Sequence, residues 1–361
     1  MSLERRRLSS PLVSVCIPQF NRTNFLIESL GWLDAQSFRD FEVCIADDCS
    51  DDGGSPRLLA ALEGSGLDFA YRRGDRNRRY DANLRSAIGL AHGTFALLLG
   101  NDDCLADASS LEWVARKVAP IEGLGVALAN YADYATGAVG RRVLRDEVVA
   151  GPEAAARHFR DFSFVSGIVL RTATANSLPT ERWDGSEMYQ MYLCCRMVAA
   201  GAKMARYEHV LVRKDIRLPG QTVDSYRLRP RLRPPFGAAT SLPLLQIPRL
   251  VFDAIGPHAG GRGAATALSW LVARQVQLFT FPFWLVEYRR VQSLRFAAAL
   301  WREMRPDRVF EGLPLGRRIA WSWLLHVLVG LAALLVPIGL FRRLQGRLHW
   351  LAKRSSLAGR A

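Results

Sequence analysis

From residue 12 to residue 99 the chain alternates short, unbroken apolar runs with stretches of helical spacing, and this rhythm restricts the fold more than any other feature. Residues 12–18, 41–47, 67–71 and 95–99 read as strands, and residues 24–35, 56–63 and 81–91 as helices, with Gly93 stopping the third. Apolar runs without polar alternation suit strands covered on both faces, and strands separated by helices suit a largely parallel sheet. Such sheets take ligands beyond the carboxyl ends of their strands, which directs attention to residues 18–22, 47–52 and 100–103.

A chain of 361 residues, 49% apolar and 23% charged, has the length for about two domains and excludes global disorder. The six cysteines (Cys16, Cys44, Cys49, Cys104, Cys194, Cys195) contain no CxxC pair, which fits reduced thiols rather than a disulfide framework or a zinc site. Arg5, Arg6 and Arg7 precede an apolar run too short for a signal sequence and stopped by Pro18, so the N-terminal half is expected in the cytoplasm. The net charge of +14 is unevenly placed: residues 211–361 hold 24 Lys/Arg against 7 Asp/Glu, whereas residues 1–210 hold 24 against 27. A nucleic-acid surface and an anionic membrane leaflet compete for that basic region; its apolar runs favour the membrane, and no nucleic-acid-binding motif accompanies the charge.

Beyond residue 105 the pattern becomes mixed. A helix near 109–119, strands near 125–131 and 164–171, and a helix over 186–200 read as the acceptor half of the same domain, followed by a segment crowded with Pro and Arg over 213–235. These features divide the chain into a catalytic domain (1–212), a linker or wrapping segment (213–262) and a helical, basic, apolar membrane-associated region (263–361). Residues 319–341 carry no formal charge over 23 positions, and as one helix they would reach roughly 34 Å, enough to cross a hydrocarbon core. Arg317 and Arg318 precede them and Arg342, Arg343 and Arg347 follow, so the flanks give no orientation. A helix lying in the interface, or a hairpin bent at Pro337, keeps both flanks cytoplasmic and is preferred to a single span. Residues 264–286, rich in aromatics around Arg274, read as an interfacial surface, with a helix of a soluble bundle as the other reading.

No GxGxxG follows the first strand and no GxxxxGK[ST] occurs, which argues against a dehydrogenase or a P-loop NTPase. Carboxylates follow the strands instead: Asp47 and Asp48 after the second, Asp102 and Asp103 after the fourth. Paired acids repel unless something positive sits between them, and a divalent cation with oxygen ligands, completed by a bound diphosphate, meets that need. Arg76, Arg78 and Arg79 precede the third helix, where a guanidinium could meet a diphosphate bidentately. A solvated turn is the plainer account of each acid pair, and solvated surface that of the arginines.

Three segments together carry a resemblance. VSVCIPQFNR (13–22) resembles the opening strand of family 2 glycosyltransferases with the GT-A fold, commonly close to VSVIIPTYNR. FEVCIADDCSDDG (41–53) is similar to their second strand and acidic turn, and AHGTFALLLGNDD (91–103) to the strand ending in the DxD-type metal motif. The resemblance covers about residues 11–110 and thins through 212. It implies an α/β fold of the GT-A (nucleotide-diphospho-sugar transferase, Rossmann-like) type, a mixed sheet flanked by helices, here followed by the helical C-terminal region. It implies donor-binding roles for Pro18, Phe20, Asn21, Arg22, Asp47, Asp48, Arg79 and Asp102, with Asp48 on the base of the nucleotide. Asp103, with Asp102, would hold Mn2+ or Mg2+. Gln19 and Cys49 depart from the usual residues of the pocket.

Family members usually place the catalytic base at the start of a helix ending in Arg and then Gly, which points to 183–201 with Arg196 and Gly201. The usual acidic position falls near Gln190, so Glu187 and Asp184 become the candidates, Glu187 slightly ahead. No QxxRW is present, which favours transfer of one sugar over polymerisation. The expected activity is metal-dependent, inverting transfer of a single sugar from a nucleotide-sugar to a lipid-linked or membrane-presented glycan at the cytoplasmic membrane face. The alternative is a noncatalytic GT-A-like nucleotide-binding or scaffolding protein of a glycan-assembly complex, with no nucleic-acid partner in either case.

Overall fold

The computed structural model describes residues 2–5, 8–221 and 243–357, and the chain divides into two compact units, residues 1–151 with 160–225 and residues 152–159 with 226–361. The first unit begins β1 (Ser2–Arg5), β2 (Val13–Gln19), α1 (Thr23–Asp34), β3 (Phe41–Asp47), α2 (Ser55–Gly64), β4 (Phe69–Arg73), α3 (Arg79–Gly89) and β5 (Phe95–Leu98). It continues with β6 (Cys104–Leu105), α4 (Ser110–Trp113) extended by a π turn at Val114–Val118, β7 (Leu124–Asp133), β8 (Val139–Gly140) and β9 (Glu147–Val149). After α5 (Gly151–His158), which falls almost wholly in the second unit, come β10 (Ile168–Arg171), α6 (Thr172–Asn176), α7 (Tyr189–Ala199) and β11 (Lys203–Lys214).

These strands form one mixed sheet in the order β1-β4-β3-β2-β5-β10-β7-β11-β6, with β8 beside β7 and β9 beside β11. The stretch β4-β3-β2-β5 is parallel, with Val13 opposite both Phe41 and Phe95, whereas β10 runs antiparallel to β5 and to β7. Every residue of β2 and β3 is buried, which is why their sequences are apolar without alternation. Leu26, Leu30 and Leu33 of α1, and Leu58 and Leu62 of α2, close over Val13, Val15, Val43 and Ile45, each worth about 2 kcal/mol of transfer energy. The chain leaves β2 toward β3 and β4 on one side and returns to place β5 on the other. The reversal opens a crevice at the carboxyl ends of β2 and β5.

The four expected strands and three expected helices of residues 12–99 are all present, displaced by two residues or fewer. The N-terminal arginines were not expected to pair with the sheet, yet β1 runs antiparallel to β4 and the Arg5 guanidinium takes the carbonyls of Ser65 and Leu67 at 2.7 and 2.6 Å, satisfying chain ends beyond α2. β11 was also unexpected: Arg206, buried in ion pairs with Glu147 and Asp161, and the polar Glu208 and His209 interrupt its apolar residues, which hides the strand signal.

In the second unit the helices are α8 (Pro243–Ile255), α9 (Arg262–Gln275), a π turn at Val276–Thr280, α10 (Phe281–Val291), α11 (Leu294–Glu303), α12 (Pro306–Val309), α13 (Arg318–Leu335) and α14 (Ile338–Leu357). The expected linker begins as the end of β11 (213–214) and a turn through 221, and is helical over 243–255; Pro230, Pro234 and Pro235 lie outside the described residues. Over 264–286, where an interfacial surface is expected, one side is packed, with Leu268, Val272, Val276, Phe281 and Leu285 buried, while Trp270, Phe279, Phe283 and Trp284 are only half-buried. The uncharged run 319–341 is not one helix. Val336 is extended (ψ 132°) as the residue before a proline must tend to be, so α13 stops and α14 restarts after Pro337.

Candidate active site

Three loops leave the carboxyl ends of β2, β3 and β5 at the crevice and are tied together there. Gln19, at the end of β2, accepts from Asn101 Nδ2 at 2.8 Å through its side chain and from Asn83 Nδ2 at 2.9 Å through its carbonyl. Asn21 pairs with Asp51 through two 2.8 Å bonds and donates its backbone N–H to Ser50 Oγ. Arg22 Nη1 meets Asp102 Oδ2 at 2.6 Å, joining the first and third loops. Among the described residues, all the non-glycine residues with positive φ are Asn21, Arg22, Cys49, Arg79, Glu187 and Asp215, and all lie on the segments forming this site. Such strain persists where surrounding bonds over-determine it, and it concentrates at functional sites.

The sequence-derived donor residues take up different duties. Pro18 is buried inside β2, and Phe20, the next residue but one, is 40% exposed at the crevice mouth. Asp47 is consumed internally, accepting from Ser50 N–H at 2.8 Å and from the Tyr71 hydroxyl at 2.7 Å. Asp48 receives the backbone N–H groups of Arg78 and Arg79, both at 2.7 Å, yet burial pushes its carboxyl above the usual range. The Arg76, Arg78 and Arg79 side chains are exposed.

Asp103 is buried, bonded to the Ser166 hydroxyl and to the Asp215 N–H, and held well above the usual carboxylate range by burial and by the charge of Asp102. Asp102 is raised as well, by burial, against the pull of Arg22. Gly100 makes room for this pair: a Cβ there would lie 2.9 Å from Asp103 Oδ2. The donor set is hard oxygen, and a buried acid facing its own kind is relieved by a cation. Among the described residues no three His, Cys, Asp or Glu converge as ligands. One or two carboxylates with the remaining positions left to water or phosphate is the manner in which Mg2+ and Mn2+ are held, so these residues fit such an ion.

The candidate bases sit on the loop before α7, and α3 holds that loop. Asp81, 1% exposed, accepts backbone N–H groups from Gly185, Glu187 and Tyr189 at 2.8, 2.8 and 3.0 Å, and burial lifts its carboxyl to about 6. One turn later, Arg85 grips both oxygens of Asp184 at 2.8 Å and the Thr180 carbonyl at 2.6 Å. Asp184 is thereby committed to an ion pair, whereas Glu187 (φ 58°) comes close to Tyr80. The Tyr80 hydroxyl donates to Gln190 Oε1 at 3.2 Å, and its ionisation is suppressed by burial and by Asp81, Glu187 and Asp103. The phenol therefore feels the charge of both the candidate metal acid and the candidate base. Sequence reading had assigned no role to Tyr80, Asp81, Arg85, Ser166 or Asp215; only the i, i+4 spacing of Asp81 and Arg85 on a helix adjoining the crevice signals a shared partner.

The switch point of a mixed sheet thus brings Asp102 and Asp103 to the same end of the domain as a braced acidic loop. Residues 14–161 match the model of glycosyl transferase family 2. The abequosyltransferase RfbV of Salmonella typhimurium is 35% identical over 100 residues, covering 27% of this chain and 30% of the relative. The uncharacterised protein y4gI of Sinorhizobium fredii is 35% identical over 106 residues, 28% of this chain and 11% of its own. The matches thus span less than a third of the length of these curated relatives. Among solved structures, S. aureus TarS 1-349 in complex with UDP superposes with a TM-score of 0.57 at 16% identity over 87% of this chain and 90% of that one. The mannosyltransferase PcManGT of Pyrobaculum calidifontis, in complex with GDP-Man and Mn2+, gives 0.50 at 14% identity over 98% and 88%. These likenesses establish the GT-A fold.

Proposed function

We propose that the chain moves a single sugar, with inversion, from a nucleotide-sugar to a lipid-linked or membrane-presented glycan at the cytoplasmic face of a membrane. The observation that carries this reading is the placement of Asp102 and Asp103 at the switch point of the sheet, with the Glu187 loop held by Asp81 of the neighbouring α3. Residues 1–212 then make up the catalytic domain, 213–262 a linker or wrapping segment and 263–361 the membrane-associated region. The abequosyltransferase relative and the nucleotide- and sugar-nucleotide-bound structural neighbours support a nucleotide-sugar donor. The free cysteines and the basic C-terminal half support a cytoplasmic site beside an anionic leaflet.

In this reading Pro18, Phe20, Asn21 and Asp48 shape the nucleotide pocket, and Arg79 approaches the diphosphate. Asp103, with Asp102 beside it, would hold Mn2+ or Mg2+, and the chemistry that ion supplies when bound is neutralisation of the departing diphosphate. Arg22 keeps Asp102 oriented across the crevice. Glu187 takes the proton of the acceptor hydroxyl as its oxygen bonds to the anomeric carbon. The bond from that carbon to the diphosphate breaks on the opposite face, and the nucleoside diphosphate leaves. Asp184 contributes through Arg85, fixing the loop rather than accepting the proton.

The test is release of nucleoside diphosphate from a panel of UDP-, GDP-, CDP- and dTDP-sugars with and without manganese. Manganese-dependent release that disappears in Glu187→Gln supports the reading; release unchanged in Glu187→Gln refutes the base. The second reading, a noncatalytic nucleotide-binding scaffold, is motivated by Gln190 standing where relatives usually place an acid and bonding Tyr80 instead. Binding of a nucleotide-sugar with no turnover across membrane-extract acceptors would favour it.

A further inference from the structure

Helix α13 has two unlike faces. Ser322, His326, Gly330 and Ala333 are buried and pack inward: Gln277 Nε2 donates to the Ser322 carbonyl at 2.8 Å, and Trp301 Nε1 to the His326 carbonyl at 3.0 Å. Gly330 admits the Trp301 ring so closely that a Cβ would meet its Nε1 at 2.0 Å. On the opposite side Trp321, Leu324, Leu328, Leu331 and Leu335, spaced three and four apart, are 59%, 45%, 57%, 40% and 77% exposed. After the break at Pro337 the stripe resumes on α14 with Leu340 and Leu344, alongside exposed Arg342 and Arg343.

We propose that this stripe is a monotopic membrane-binding face, with α13 lying along an anionic phospholipid leaflet rather than crossing it. By length and composition α13 qualifies as a span. Its inner face, however, is sealed to helices that carry Glu287, Arg289, Arg290, Arg302 and Glu303, and the Arg289 guanidinium is bonded to the carbonyls of Leu334 and Val336 at its C-terminal end. A crossing would draw these charges toward hydrocarbon, at several kcal/mol each. Lying flat buries the stripe and leaves them in water. The occupant follows from charge: residues 312–361 hold 8 Lys/Arg and no Asp/Glu, so anionic headgroups are attracted whereas a second copy of the same face is repelled. The inference rests on the membrane placement proposed above and is independent of the sugar chemistry.

The full-length chain, tagged at both ends, is mixed with vesicles of equimolar phosphatidylglycerol and phosphatidylethanolamine, or of phosphatidylcholine. Flotation with the anionic vesicles that weakens with salt, together with digestion of both tags by protease added outside, is the expected result. Leu328→Glu/Leu331→Glu, at exposed positions, lowers that partition about tenfold or more. Should this variant fold poorly, Arg342→Gln/Arg343→Gln is expected to lower selectively the partition to anionic vesicles. Flotation with the C-terminal tag protected means a span and overturns the inference while sparing the membrane placement. No flotation overturns both. A wild-type dimer that the glutamate variant converts to monomer gives the stripe to a second copy and overturns it too.

Discussion

Asp103 is buried beside Asp102 and Asp215, so its negative charge is unfavourable until a cation arrives. Asp103→Asn is therefore expected to cut manganese-dependent turnover by about a hundredfold or more while leaving metal-free thermal stability unchanged or raised. Nucleotide release and melting curves on the same preparation check both halves. Gly100→Ala places a methyl group against Asp103 and is expected to cost about 1–3 kcal/mol, read by denaturant titration. Asp81 gives a pH signature. Its carboxyl, at about 6 in the fold against the usual 3.8, takes up a proton more readily folded than unfolded. Its stabilisation is thus full below about pH 4 and lost as pH rises through about 6, a change on the order of 3 kcal/mol. Asp81→Asn should flatten that part of the stability profile and lower kcat more than the donor KM, since the loop bearing Glu187 loses carboxylate acceptors. At this scale the acids at the strand ends were legible because their type and position are written in the sequence. Asp47 shows the limit: its partner Tyr71 lies 24 positions away, and only the fold reveals that both its oxygens are spent.

The parallel strands were the most readable elements, because burial on both faces leaves an uninterrupted apolar run, whereas β11 carries Arg206, Glu208 and His209 among its apolar residues. The loop before α7 was the least readable. Its conformation depends on acceptors supplied by α3 from about a hundred residues earlier, and Glu187 adopts a positive φ no local propensity favours. The grip of α3 on that loop gives a prediction for the element. A double-mutant cycle between Arg85→Ala and Asp184→Ala should show coupling of about 1 kcal/mol in stability, and Arg85→Ala should depress turnover without abolishing donor binding. Independent, additive effects would mean that the pair does not order the loop. In the second unit the break between α13 and α14 was legible from Pro337, whereas the inward face of α13 was not, since Ser322, His326 and Gly330 do not read as a packing surface until Trp301 and Gln277 are seen against them.

For the molecule as a whole, charge and apolar exposure are divided along the chain: a slightly acidic α/β domain with a buried sheet, and a basic helical unit with an uncovered apolar stripe. That division was visible in composition before any element was placed. What composition does not carry is the donor, because the turns beyond β2, β3 and β5 are shaped by backbone bonds and positive φ angles that residue types alone do not reveal. The central claim is that the acids at the switch point hold an activated sugar through its diphosphate. The most direct test is calorimetric titration of the full chain with a panel of nucleotide-sugars, in manganese and in chelator, for the wild type and Asp103→Asn. The account predicts that at least one nucleotide-sugar binds the wild type in manganese, and that chelator and the substitution each remove that binding. Binding equally strong in the variant and in chelator, or none from any sugar nucleotide, would contradict it.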